Sequence, residues 1–236
     1  VAAGGCCPLK RNPMKRLLAL SLVVALTCSG CSLLGRFFTA EEDENDSFLA
    51  WDGMEKYEEG DYKGAKKSFE KIKDWYPYSK FAMLAELKVA DSHYKLGEYE
   101  EAIFAYEEFE NLHPRNEVIP YVVYQIGRCY YAQIDTPDRD QEKAKRARDT
   151  FVRLMATYPD SDYSVKAREY YNKSLKTLAE SEFGIGLFYY KSKHYRAALQ
   201  RFKSVIERYP DMGVHQKALE YIVLTEDRLA VSTPEP

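Results

Sequence analysis

The chain has 236 residues with 34 Lys+Arg and 37 Asp+Glu, and it is 45% apolar and 14% aromatic, enough to build a core and to exclude disorder as the main state. Its first 30 residues hold Lys10, Arg11, Lys15 and Arg16 and no acid; without them 206 residues remain and the formal charge moves from -3 to -7. An acidic body has no electrostatic grip on phosphate backbones or anionic headgroups, which excludes nucleic acid and basic membrane docking as leading functions.

Residues 1–13 precede Met14 and read as an upstream extension from a mis-assigned start. From Met14, MKRLLALSLVVALTCSGC carries two basic residues, an apolar run from Leu17 to Leu26, and the small pair Ser29 and Gly30 before Cys31. This is a secretory signal over 14–30. The run is too short for the roughly 20 residues of a spanning helix. The small pair before a cysteine resembles the lipobox of bacterial lipoproteins, whose thiol is acylated and becomes the first mature residue. Cys31 is therefore the expected lipidation site and the membrane link, and Cys28 stands where the lipobox usually has Leu. An ordinary secretory signal is the alternative. Acyl chains at about 0.8 kcal/mol per buried methylene make such an anchor lasting. Processing leaves Cys31 and Cys129, and Cys129 sits among apolar residues of a helical pattern, as a buried inert thiol does.

Residues 31–46 run from apolar to acidic without periodicity and read as a lipidated tether. Residues 47–230 read as one solenoid and 231–236 as a frayed tail. Gly60, Tyr62, Ala65, Phe69 and Pro77 recur 37 residues later as Gly97, Tyr99, Ala102, Tyr106 and Pro114. Parts of the pattern return as Ala147, Phe151 and Pro159, and as Tyr195, Ala198, Phe202 and Pro210. Preceding helices supply small residues at Gly53, Ala90, Gly127 and Gly186. These spacings match the tetratricopeptide repeat. The expected fold is an all-α superhelical solenoid of about nine helices and four and a half repeats, with first helices on its concave face.

The Pro-to-Pro distances are 37, 45 and 51, against about 34 for the ideal repeat. In the third repeat the surplus falls in DTPDRDQ, 135–141, a polar loop between its two helices. In the fourth it lies in a helix-periodic stretch without Pro, which predicts one helix over 162–191; Gly184 and Gly186 mark either a close helix crossing or a break. His93, His113, His194 and His215 lack metal spacing, and no nucleophile elbow or phosphate loop appears. No catalytic set, metal or cofactor is implied, and an enzyme is not expected.

The lipobox, the tether, the strings GDYKGAKKSFEKIKDWYPYSKFAMLAELKVADSHYKLGEYEEAI and PYVVYQIGRCYYAQ, and above all DRDQEKAKRARDTFVRLMATYPDSDYSVKA together resemble the BamD (ComL) family of the outer-membrane β-barrel assembly (BAM) machinery. Gln141 stands where the family commonly has Pro. The resemblance implies a lipid-anchored scaffold on the periplasmic face of the outer membrane. Its implied partners are the POTRA domain of a BamA-type barrel protein, unfolded barrel precursors and other BAM lipoproteins. It places Arg201 where the family has a basic POTRA contact; a solvated arginine is the alternative. In the repeat register, Tyr57, Asp91, Tyr94 and Lys95 point to the concave face as a candidate peptide groove, unless Tyr57 and Tyr94 merely pack between repeats. Another periplasmic repeat lipoprotein, coordinating peptidoglycan or envelope processes, would keep the anchor and repeats without a barrel partner.

Overall fold

The computed structural model describes residues 45–232; the signal, Cys31 and nearly all of the tether lie outside these residues. The described residues form nine α-helices: α1 (Asp46–Glu59), α2 (Tyr62–Trp75), α3 (Ala82–Leu96), α4 (Tyr99–Leu112), α5 (Ile119–Ala132), α6 (Glu142–Thr157), α7 (Asp162–Lys191), α8 (Tyr195–Arg208) and α9 (His215–Ser232). Helix α9 thus continues two residues into the segment read as tail.

The prolines terminate the second helix of each repeat in the same way. Tyr76, His113, Tyr158 and Tyr209 each precede a Pro, which disfavours the α region for them. All four adopt φ between -126° and -133° with ψ between 51° and 61°, and each backbone N–H still bonds the carbonyl four residues back. Three of the four first helices are followed by a left-handed residue, whereas α5 ends on Gln133 at φ -97°. Gly60 and Gly97 take φ of 87° and 77°, and the equivalent in the fourth repeat is Lys193 at φ 62°, a position that costs a side-chain-bearing residue about 1–2 kcal/mol. Asp61 caps α2 by accepting from the Gly64 N–H at 2.9 Å, and Ser161 caps α7 by accepting from Tyr163 at 3.2 Å.

Each helix packs on the next in sequence, and α5 also packs directly on α7. Within a repeat, an aromatic ring of the second helix presses on a small residue of the first. A Cβ added to Gly53 would lie 2.9 Å from the Phe69 ring, and one on Gly186 would lie 2.6 Å from Phe202; Gly127 meets Phe151 in the same manner. Phe69, Phe151 and Phe202 are fully buried, as are Ala90 and Tyr106 at the corresponding positions of the second repeat. This is the tetratricopeptide architecture, with the extra residues of the fourth repeat absorbed into α7.

Helix α7 is unbroken for 30 residues, about 45 Å at 1.5 Å per residue. Its first half supplies Ala167 to the central core with Phe109, Val122, Ile126, Phe151 and Leu154, and its second half supplies Ala179 and Phe183 to a separate core with Phe202, Val205 and Ala218. Gly186 marks a close crossing on Phe202, whereas Gly184 has open space around it. The loop between α5 and α6 is tied by Gln141, whose buried side-chain Nε2 donates to the Thr136 and Arg139 carbonyls at 3.0 and 2.9 Å.

The two glycines of α7 provide a matched test of this packing. Gly184→Ala gains helix propensity with nothing to displace, raising stability by about 1 kcal/mol. Gly186→Ala gains the same propensity but forces the Phe202 ring to move, and overpacking of about 1–3 kcal/mol makes it destabilising on balance. Urea midpoints followed by circular dichroism should move in opposite directions; a shared direction would contradict the close crossing.

Candidate functional site

Polar side chains of α3, α4 and α5 converge on Asp91 in α3. Its carboxylate is 3% exposed. It accepts from the Tyr106 and Tyr121 hydroxyls, both at 2.6 Å, and from Lys88 Nζ at 3.0 Å. Gln125 Nε2 donates to the Tyr121 and Tyr106 oxygens at 3.1 and 3.4 Å, and Arg128 Nη1 donates to Gln125 Oε1 at 3.4 Å. A buried carboxylate is tolerable only when paired and hydrogen-bonded, and here α4 and α5 supply the donors. This corrects the expectation for Asp91. It lies beneath the face on which the groove was expected, because hydroxyls on the next two helices draw it inward.

The other groove candidates remain at the surface of that face. Tyr57 in α1 is partly buried, edge-on to Tyr62 at 5.2 Å, with Lys88 Nζ 4.4 Å from its ring centroid. Tyr94 in α3 is edge-on to Tyr99 at 5.7 Å and carries the Arg128 guanidinium at 4.9 Å. Lys95 is exposed and reaches over Tyr62 at 5.7 Å. Arg128 also lies 5.8 Å from the Tyr124 ring and 5.6 Å from that of Tyr170 in α7. Tyr57 and Tyr94 thus pack against neighbouring rings and cations while staying partly exposed. A row of tyrosines and cations runs across α1, α3, α5 and α7.

Burial, followed by the charge of Asp91, raises the Tyr57, Tyr106 and Tyr121 hydroxyls above their ordinary value, and burial pushes Tyr124 up to about 12. These groups stay protonated at neutral pH, and Tyr106 and Tyr121 remain hydrogen-bond donors to Asp91. Burial also pushes the Cys129 thiol up to about 12, so it is inert as a nucleophile at neutral pH. Sequence reasoning missed Lys88, Tyr106, Tyr121, Gln125, Arg128 and Tyr170 as members of this network. A signal for part of it was present: Tyr121, Tyr124, Gln125 and Arg128 have the spacing of one helical face, and Gln125 interrupts an otherwise apolar stretch of α5.

Arg201 lies elsewhere, on the outer side of α8, turned outward by the burial of Phe202 and Val205. Its Nη1 donates to both carboxylate oxygens of Glu182 in α7, at 3.1 and 3.3 Å. The guanidinium is thus already paired within the chain, while 44% of its side chain stays exposed. Around it is an open cleft of about 500 Å³ lined by Glu182, Arg196, Arg201, Lys203, Glu207 and Arg208, among others. Four cations against two carboxylates make this ridge basic on an acidic protein.

Helix pairs joined by the small-to-aromatic contact, with a polar and aromatic face on the first helices, define a tetratricopeptide-repeat protein. The family model YfiO, described as an outer membrane lipoprotein, matches residues 42–235, and the chain belongs to that family. A Rickettsia prowazekii (strain Madrid E) protein named outer membrane protein assembly factor BamD is 31% identical over 201 residues, covering 83% of this chain and 77% of that protein. A Caulobacter vibrioides protein of the same name is 29% identical over 204 residues, covering 86% and 67%. A crystal structure of MamA protein aligns with TM-score 0.38 and 17% identity, over 79% of this chain and 84% of that one. Among the described residues no helix is long and apolar enough to cross a membrane.

The Asp91 network predicts a large and specific stability effect. Asp91→Ala leaves the fully buried Tyr106 hydroxyl without its acceptor and should cost about 3 kcal/mol, whereas Asp91→Asn keeps an acceptor and should cost about half as much. Urea midpoints measure both. A loss under about 0.5 kcal/mol for Asp91→Ala, the range of a surface substitution, would place the carboxylate at the surface.

Proposed function

We propose that this chain is an outer-membrane protein assembly factor that acts by binding and carries out no reaction. It is held at the periplasmic face of the outer membrane by acyl chains on Cys31, which follows the 14–30 signal, with 31–46 as tether. The basic ridge of α8 docks on the POTRA domain of a BamA-type barrel protein, and the first-helix face receives unfolded barrel precursors. Other lipoproteins of the complex would join the same assembly. The observation that carries this reading is membership of the YfiO family across 42–235, together with relatives named as assembly factors at 29–31% identity.

The pairing of Arg201 with Glu182 supports its part in this docking. Glu182 holds one terminal nitrogen, leaving other N–H groups of the planar fork turned to solvent for a partner carboxylate. Glu182 therefore preorients the arginine, which reduces the side-chain entropy lost on docking. With nearly half of the side chain exposed, the contact belongs to an interface rim.

Affinity purification of the tagged chain from detergent-solubilised envelopes tests the docking. It should recover a POTRA-bearing barrel protein, and Arg201→Gln should weaken that association by about 1 kcal/mol, roughly fivefold. Gln avoids setting a second carboxylate beside Glu182. Recovery of cell-wall enzymes with no barrel protein would overturn the assembly reading, and full affinity in a folded Arg201→Gln variant would remove Arg201 from the interface.

The anchor has its own test. Cys31→Ala should abolish acylation and release the protein from the membrane fraction, read by mass spectrometry of the mature amino end. A wild-type amino end at another residue, without lipid, would refute the assignment.

A further inference from the structure

Two arginines among the described residues are partly buried, Arg128 and Arg148, while the others are exposed. Arg148 donates from Nε to Asp149 at 2.8 Å. Arg128 is paired with no carboxylate among the described residues, and its hydrogen bond to protein is the long one to Gln125 Oε1, at 3.4 Å. Most of its five N–H donors therefore have no protein acceptor. The exposed Arg146, Arg153 and Arg201 do each hold a carboxylate, from Glu142, Glu110 and Glu182. Arg128 lacks such a partner although a charge partly withdrawn from water needs one most.

The surroundings of Arg128 hold it in place without neutralising it. Three tyrosine rings from three helices lie within 5.8 Å of the guanidinium: Tyr94 of α3, Tyr124 of α5 and Tyr170 of α7. Cation–π attraction offsets part of the desolvation, and rings from three helices restrict the motion of the fork. A fork restricted in this way loses little further entropy on accepting a planar, two-oxygen anion. Lys173 shares the Tyr170 ring at 5.4 Å, but its charge is already paired with Glu169 at 2.6 Å. One uncompensated guanidinium among aromatic walls matches a single carboxylate beside aromatic side chains better than it matches a polyanion.

We propose that Arg128 is the carboxylate anchor of a peptide site on the first-helix face. It receives one carboxylate of an extended segment, either the α-carboxylate or an Asp or Glu side chain, while neighbouring aromatic side chains of the segment lie against Tyr94 and Tyr170. The proposal rests on the reading that this face receives unfolded precursors, and it adds which residue fixes the register of the bound segment and by what chemistry.

Three synthetic peptides test it against the full chain. All are about ten residues of alternating aromatic and polar side chains, the period of an extended strand. The first ends in Phe with a free carboxylate, the second is its amide, and the third is the amide with one Asp near the end. Binding is measured by fluorescence anisotropy. The free acid should bind about tenfold tighter than the amide, and in Arg128→Gln the two should bind alike. Arg128→Lys, which keeps charge without the fork, should retain part of the difference. If the Asp-bearing amide matches the acid, the anchor takes a side-chain carboxylate; if it matches the plain amide, the anchor is specific for the chain end. A purely structural role would weaken acid and amide equally, so an acid-to-amide ratio unchanged in Arg128→Gln, with circular dichroism confirming the helices, overturns the proposal. Failure of the wild-type chain to bind any of the three overturns it as well. The envelope purification would still report independently on docking.

Discussion

The contact on which the fold depends is the seat that each first helix offers to the aromatic ring of its partner. Gly53 under Phe69, Gly127 under Phe151 and Gly186 under Phe202 let two helical backbones approach until the ring fills the space a side chain would take. Dispersion and apolar burial reward that approach with about 1.5–3 kcal/mol per fully buried large side chain. Because the seat lies on the first helix and the ring on the second, the pair can close in one register. That register then decides which residues of each first helix face the next repeat and which face away. The neighbouring tyrosines and cations of the first helices owe their proximity to it.

Helix α7 joins two of the three core clusters of the described residues. An ordinary repeat would end its first helix after about 14 residues, as α1, α3 and α5 do here within a residue. By continuing for 30, α7 packs Ala167 against the central core and Phe183 against the last one along a single rigid element. An unbroken helix transmits a displacement at one end to the other more directly than a loop does. The Arg128 cage sits against the first half of α7 through Tyr170, and the Arg201–Glu182 pair sits on its second half. The tyrosine-caged arginine and the basic ridge thus contact the same helix, at Tyr170 and Glu182.

Charge is distributed against the average of the chain. The sequence is acidic overall, yet the first-helix face carries Lys88, Lys95 and Arg128 over tyrosine rings, and the α8 ridge carries Arg196, Arg201, Lys203 and Arg208. On the first-helix face the rings supply part of what water or a carboxylate would otherwise give Lys95 and Arg128, while Lys88 also holds the Asp91 carboxylate at 3.0 Å. On the ridge, Glu182 and the Glu226 partner of Lys203 at 3.1 Å do so. The first arrangement leaves a cation open to an incoming anion, and the second holds cations ready at a surface.

The sequence by itself determined the repeat, because its signal is local: small residues, aromatic residues and prolines at fixed spacing are the physical requirements of helix pairing and helix ending. It also determined that the surplus of the third repeat is a loop, through DTPDRDQ, and that the surplus of the fourth continues a helix, through the absence of any breaker but glycine. Tertiary structure decided the fate of individual polar residues. Asp91 reads as exposed on a helical wheel, and its burial follows from the Tyr106 and Tyr121 hydroxyls, 15 and 30 residues away. Arg201 reads as free until Glu182, on the preceding helix, is brought beside it. Arg128 is not singled out in the sequence, and its surroundings exist only once three helices close their tyrosines around it. Periodicity records which side of its own helix a residue occupies, but the groups that meet it there belong to other helices, and their positions are set only when the repeats stack.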